Sequence, residues 1–139
     1  MGVLTLRDRA MQMSTELAIV DINGTLSTED ISSLINEEYR WNYELLGELR
    51  QYKRIILITG GVHRERAMKA IPPTLNYESL EVKPESTYCQ ERWKLDYLET
   101  VKEPFVMYDD NERVIARVKE IYGSESGILV TNMGGGGYA

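Results

Sequence analysis

The chain contains one cysteine and one histidine among its 139 residues. Cys89 alone excludes an intrachain disulfide, reads as a packing residue, and is compatible with a reducing, cytoplasmic setting. No apolar stretch approaches the roughly 20 residues of a membrane span, so no membrane partner is expected. Residues 1–16 hold Val3, Leu4 and Leu6 but no secretory h-region, and Leu6 breaks the myristoylation pattern that Gly2 would begin. Positive charge is in deficit: 16 Lys and Arg face 22 Asp and Glu, for a net charge of −6. That balance argues against gripping nucleic acid by overall charge, while leaving room for a local basic patch. Internal repeats are absent. The Gly134–Gly137 run lacks the lysine and the strand-to-helix context of a P-loop. What remains is one soluble globular domain, long enough to bury a core, with 42% hydrophobic and 27% charged residues.

Three apolar runs organise that domain. Leu17-Ala18-Ile19-Val20-Asp21 is β-branched and continuous, as in a strand buried on both faces of a parallel sheet. It ends on Asp21, and Gly24 marks a turn. A carboxylate at that position is costly unless something uses it, or unless it merely caps the next element. Arg54–Thr59 is a second run, ending in Thr59, Gly60 and Gly61. Pro104–Asp109 is a third, ending in the pair Asp109-Asp110. If the runs are parallel strands, their C-terminal ends lie together, where open α/β sheets bind ligands. Asp21, Asp109 and Asp110 then face one another, and three carboxylates in one pocket require a cation. Oxygen ligands with room for water suit Mg2+. Thr59, the Gly60 and Gly61 amides and Lys94 are suited to a phosphate. The pattern points to phosphoryl transfer to a carboxylate nucleophile.

Asp21-Ile22-Asn23-Gly24-Thr25-Leu26, Thr59, Lys94 and Asp109-Asp110 resemble the four ordered motifs of the haloacid dehalogenase superfamily. The resemblance spans roughly residues 17–132, leaving 1–16 as an N-terminal extension and 133–139 as a flexible Gly-rich tail. It implies a three-layer α/β/α sandwich on a Rossmann-like, mostly parallel five-stranded sheet. The Asp21 strand should lie between those of Ile55–Thr59 and Phe105–Asp109. It further implies that Asp21 is nucleophile and Mg2+ ligand, and that the Asn23 carbonyl, Asp109 and Asp110 complete the metal site. Thr59, Gly60 and Lys94 would bind the phosphoryl group. One departure matters: phosphatases of this family mostly carry Asp two positions after the nucleophile, and here it is Asn23.

The intervening segments predict helices near 41–52 (Trp41, Leu45, Leu46 and Leu49 at helical spacing), 62–70, 88–101 and 111–122. Thr28-Glu29-Asp30 reads as a helix start, Leu4–Met13 as a short helix, Leu80–Val82 as an edge strand, and Gly127–Thr131 as the last strand. Tyr39, Arg40 and Tyr43 suit either the substrate entrance or a helix surface and core edge. His63 and Arg64 suit a helix surface or the substrate rim. Lys83 rivals Lys94 as the phosphate lysine. Neither inter-motif segment is long enough for the family's cap domain, so the site should be open. An open site favours a large substrate or a cap borrowed from a second subunit in a homo-oligomer. The layout is similar to the 3′-phosphatase domain of phage-type polynucleotide kinases, which implies a phosphorylated small molecule or nucleic-acid end as partner. The expected function is a Mg2+-dependent phosphomonoesterase, slowed by Asn23; the alternative is a catalytically silent protein that still binds phosphate and Mg2+. A response-regulator receiver places its acidic pair on the first strand, so the order here disagrees.

Overall fold

The computed structural model describes residues 15–28, 39–60, 63–85 and 89–133. Its main sheet contains β1 (Leu17–Asp21), β4 (Arg54–Thr59), β5 (Ser79–Val82), β6 (Phe105–Asp109) and β7 (Gly127–Leu129). The order is β5-β4-β1-β6-β7, and every pairing is parallel. β1 is therefore central, as its unbroken burial requires.

Alternation along the strands divides the core in two. Ala18, Val20, Ile55 and Leu57 pack with Leu45 and Leu49 of α1 (Tyr43–Leu49) and Ala67 of α2 (Arg64–Lys69). Leu17, Ile19, Phe105 and Met107 pack with Leu98 of α3 (Gln90–Glu99) and Val114, Ile115 and Val118 of α4 (Glu112–Tyr122). The result is a three-layer, Rossmann-like α/β architecture with helices on both faces. After β1 the chain builds outward through β4 and β5, then crosses to β6 on the other side. The C-terminal ends of β1 and β6 flank that switch point, the place where open α/β sheets bind ligands. Asp21 continues the Leu17–Ile19 side and Asp109 the Phe105–Met107 side, so both point toward the α3 layer.

The helices are shorter than their apolar patterns. α1 starts after Asn42, whose side chain accepts from the Leu45 amide. Trp41 therefore lies outside that helix. It belongs with Arg40 to β3 (Arg40–Trp41), which pairs antiparallel with β2 (Ser27–Thr28). Thr28 is thus a strand residue; Glu29 and Asp30 lie outside the described residues. α2 and α3 begin at Arg64 and Gln90, and β7 ends at Leu129. Asn111 caps α4, accepting from the amides of Arg113 and Val114, and Gly123 closes it with φ +113°. β5 forms a sheet edge, as its sequence predicts. The expected Leu4–Met13 helix, Gly61, Val62, Tyr88 and the Gly134–Gly137 tail lie outside the described residues. Among the described residues, no helix is long and apolar enough to cross a membrane.

Candidate metal and phosphate site

The turn after β1 is built on one carbonyl. Ile22 O accepts from the amides of Thr25 (3.2 Å), Leu26 (2.9 Å) and Ser27 (3.0 Å). Ile22 and Leu26 are fully buried and anchor it. The turn folds Thr25 back over Asp21, and Thr25 Oγ1 donates to Asp21 Oδ2 at 3.1 Å. The same hydroxyl lies 3.3 Å from Asp110 Oδ1. Gly24 is required twice over. Its φ is +81°, and a Cβ there would lie 2.3 Å from Asp110 Oδ2.

Lys94 projects from α3 into the space between the strand ends. It is 2% exposed, which for lysine demands partners. Its Nζ donates to Asp21 Oδ1 at 3.0 Å and to Asp109 Oδ2 at 2.9 Å. Asp109 Oδ1 accepts from the Asn111 amide at 3.0 Å, so the start of α4 orients this carboxylate. Burial by itself would lower the lysine's pKa. The charges of Asp21 and Asp109 outweigh it and hold Lys94 above its ordinary value, hence protonated.

One ammonium does not balance three acids. Burial, followed by repulsion from Asp109, pushes the Asp21 pKa well above the carboxylate range despite Lys94. Burial and the same neighbour raise Asp110. Asp21, Asp109 and Asp110 each place an oxygen within 4.8 Å of the others. Asp21 and Asp109 are buried and Asp110 is half-buried, so the cluster opens toward solvent on one side. This set of hard oxygen donors, with excess negative charge and access for water, fits a divalent cation.

The other expected site residues fall around this cluster. Asn23 is half-buried in the turn and bridges to Ser27. Thr59 is 1% exposed at the end of β4, the strand beside β1. Gly60 follows it, and a Cβ there would come within 2.5 Å of the Gln90 side chain, at the first residue of α3. The Lys83 ammonium donates to the Pro84 carbonyl at 3.1 Å, so Lys94 is the lysine in the acid cluster. His63 caps α2 without a side-chain cap bond, and its Nδ1 lies 3.2 Å from Glu85 on an exposed surface. Arg64 is exposed on the same helix, and Tyr43 is exposed at the start of α1. The structure thus brings together Asp21, Asp109, Asp110 and Lys94, with Thr59 and Gly60 on the adjoining strand end; His63 and Arg64 stay at the surface.

Three residues were not singled out by their sequence. Thr25 lies inside the Asp21–Leu26 motif, but only its fold-back reveals that it joins two acids. Asn42 carries a weak signal as a cap before a helix. Asn132 carries none. A cleft of about 880 Å³, lined by Tyr52, Tyr108, Val106 and Ile128, shares no residue with the acid cluster. No protein-family model matches the chain, and no curated protein matches it.

Proposed function

We propose that this protein is a Mg2+-dependent phosphomonoesterase of the haloacid dehalogenase type, without a cap domain, acting through an aspartyl-phosphate on Asp21. The observation that carries the reading is Lys94 buried between Asp21 and Asp109, with Asp110 beside them. Two buried carboxylates on one ammonium, with a third half-buried beside them, add little stability, because desolvation offsets what the pairs return, and such clusters gather at functional sites. Asp21, the Asn23 carbonyl, Asp109 and Asp110 would hold Mg2+, which when bound offsets charge on the phosphoryl oxygens.

In the first half-reaction an Asp21 oxygen attacks phosphorus and the bond to the leaving oxygen breaks. Lys94 neutralises charge shared by Asp21 and the phosphoryl group; Thr59 Oγ1 and the Gly60 amide orient it. The departing oxygen takes a proton from solvent water. In the second half-reaction water attacks the aspartyl-phosphate, loses a proton, and frees Asp21. A carboxyl at position 23 would serve both proton transfers, whereas the Asn23 amide serves neither. General acid–base help is typically worth about 10²- to 10⁴-fold, so turnover is slow. Substrates with good leaving groups suffer least in the first step. The expected substrate is a phosphorylated small molecule or nucleic-acid end that reaches an open site. Asn23 also favours a second reading, a binder of phosphate and Mg2+ without turnover.

Phosphate release with Mg2+ separates these readings. The screen covers para-nitrophenyl phosphate, nucleotides, sugar phosphates and 3′-phosphorylated oligonucleotides. Slow release that disappears in Asp21→Asn supports the enzyme. Mg2+ binding without release from any substrate supports the binder. Release that survives Asp21→Asn places the chemistry on another residue.

A further inference from the structure

Asn42 and Asn132 form a reciprocal carboxamide pair next to the turn that carries Thr25. Asn42 is 2% exposed. Its Nδ2 donates to the Thr25 carbonyl at 3.0 Å and to Asn132 Oδ1 at 2.8 Å. Its Oδ1 accepts from the Leu45 amide at 3.0 Å and from Asn132 Nδ2 at 2.9 Å. Both hydrogens and both lone pairs of this carboxamide are therefore used. Asn132 Nδ2 also lies 3.2 Å from Glu44 Oε2.

The pair links the turn after Asp21 to the segment that leaves β7, which is itself hydrogen-bonded to the Asp109 backbone. On one side Asn42 holds the Thr25 carbonyl, and its own amide donates to Leu26 O at 2.8 Å. Thr25 in turn reaches Asp21 and Asp110 through its hydroxyl. On the other side Asn132 lies two residues beyond Val130, whose amide donates to the Asp109 carbonyl at 2.9 Å. Lys94 completes the circuit between Asp109 and Asp21. A helix cap needs only the Asn42 oxygen. The two donated bonds go beyond the cap: they reach the Thr25 backbone and the exit of β7.

We infer that the Asn42–Asn132 pair is a positioning clamp that sets the spacing of Asp21, Asp109 and Asp110 and thereby the affinity of the cluster for a divalent cation. The inference rests on the metal-site reading above. Groups hydrogen-bonded directly to metal ligands typically account for 10- to 100-fold in affinity; here Thr25 is that group, and the Asn pair holds its backbone.

The test is calorimetric titration of the full chain with Mg2+, using wild type, Asn42→Asp and Asn132→Ala. Asn42→Asp keeps the cap on Leu45 and loses both donated bonds. Its added negative charge would by itself tighten cation binding. Weaker binding can then come only from lost geometry. Asn132→Ala breaks the pair without touching the buried residue, and serves if Asn42→Asp does not fold. Both variants are expected to bind Mg2+ at least tenfold more weakly, and the thermal stabilisation by Mg2+ should shrink in parallel. A wild type that binds Mg2+ and variants that bind within twofold of it overturn the clamp while leaving the metal site standing. A wild type that does not bind Mg2+ overturns the metal site, and the clamp with it.

Discussion

The sheet carries the same arrangement at both ends, a cation bridging two carboxylates, with opposite consequences. At the N-terminal end Arg54 joins Glu78, which precedes β5, to Glu103, which precedes β6. Its guanidinium takes both Glu78 oxygens, at 2.7 and 2.8 Å. All three side chains are between 37% and 45% exposed. At the C-terminal end Lys94 joins Asp21 to Asp109 at comparable distances, but the side chains are 0–6% exposed. Water screens the first group and competes for it, so it contributes little to folding. The second has lost its water, and only its internal partners and a third acid, Asp110, set its energy. Equal distances therefore describe unequal chemistry. The exposed triad is surface order, whereas the buried one carries an excess of negative charge that a bound cation would relieve.

The largest difference should appear on removing each cation. Lys94→Met leaves Asp21 and Asp109 buried without a counter-charge. Breaking a buried pair in this way costs about 3–5 kcal/mol. For a chain of this size that corresponds to a Tm lower by roughly 10 °C or more. Added Mg2+ should return part of the loss, which scanning calorimetry with and without the ion would register. A Lys94→Met protein as stable as wild type would mean that the buried triad carries no imbalance.

A smaller effect is expected at Asn23. On the proposed mechanism Asn23→Asp would supply an acid–base group and would leave a metal contact through the backbone carbonyl in place. Phosphate release should rise at least tenfold, or about 1.4 kcal/mol of barrier, and more for an alkyl than for an aryl phosphate. Unchanged rates on both esters, with Mg2+ binding intact, would favour the silent binder.

The two ends should also respond to pH with opposite signs. Asp21 and Asp110 have raised pKa values, so the folded, metal-free protein holds protons that the unfolded chain releases. Stability should then fall as pH rises from the ordinary carboxylate range through the raised values. The Glu78 pKa is lowered, mainly by its hydrogen bonds to Arg54. Its contribution is present above the ordinary carboxylate value and is lost as pH falls through the lowered one. In melting curves across acid to neutral pH the first slope should become shallower in Asp21→Asn, where the raised Asp110 remains, and should vanish on adding Mg2+, while Glu78→Gln should lose the second. A first slope unaffected by Mg2+ would detach it from the acid cluster. Smallest of all, Arg54→Met should shift Tm far less than Lys94→Met, and the shift should shrink further in high salt. A loss equal to that of Lys94→Met would erase the distinction between the two ends.

The buried triad was legible in the sequence because each part sits where a strong pattern stops. Asp21 and Asp109 end continuous apolar runs, and parallel pairing of those runs brings them together. Lys94 lies in the helix between them, but only the family resemblance favoured it over Lys83. The antiparallel pairing of β2 with β3 was not legible. Its strands have two residues each, and Trp41 falls in phase with Leu45 and Leu49, which imitates one longer helix. Asn42 and Asn132 are 90 positions apart and belong to no periodic pattern. A contact made by two small amides across the fold leaves no trace in local composition, so only the folded chain reveals it.

The most direct test of the proposed chemistry is a crystal grown with Mg2+ and beryllium fluoride, which stands in for a transferring phosphoryl group. Beryllium fluoride attached to a carboxylate oxygen of Asp21, with Mg2+ held among Asp21, Asp109 and Asp110, is the predicted result. Fluoride and metal bound elsewhere, or an Asp21 carboxylate that takes up neither, would contradict the assignment of Asp21 as nucleophile.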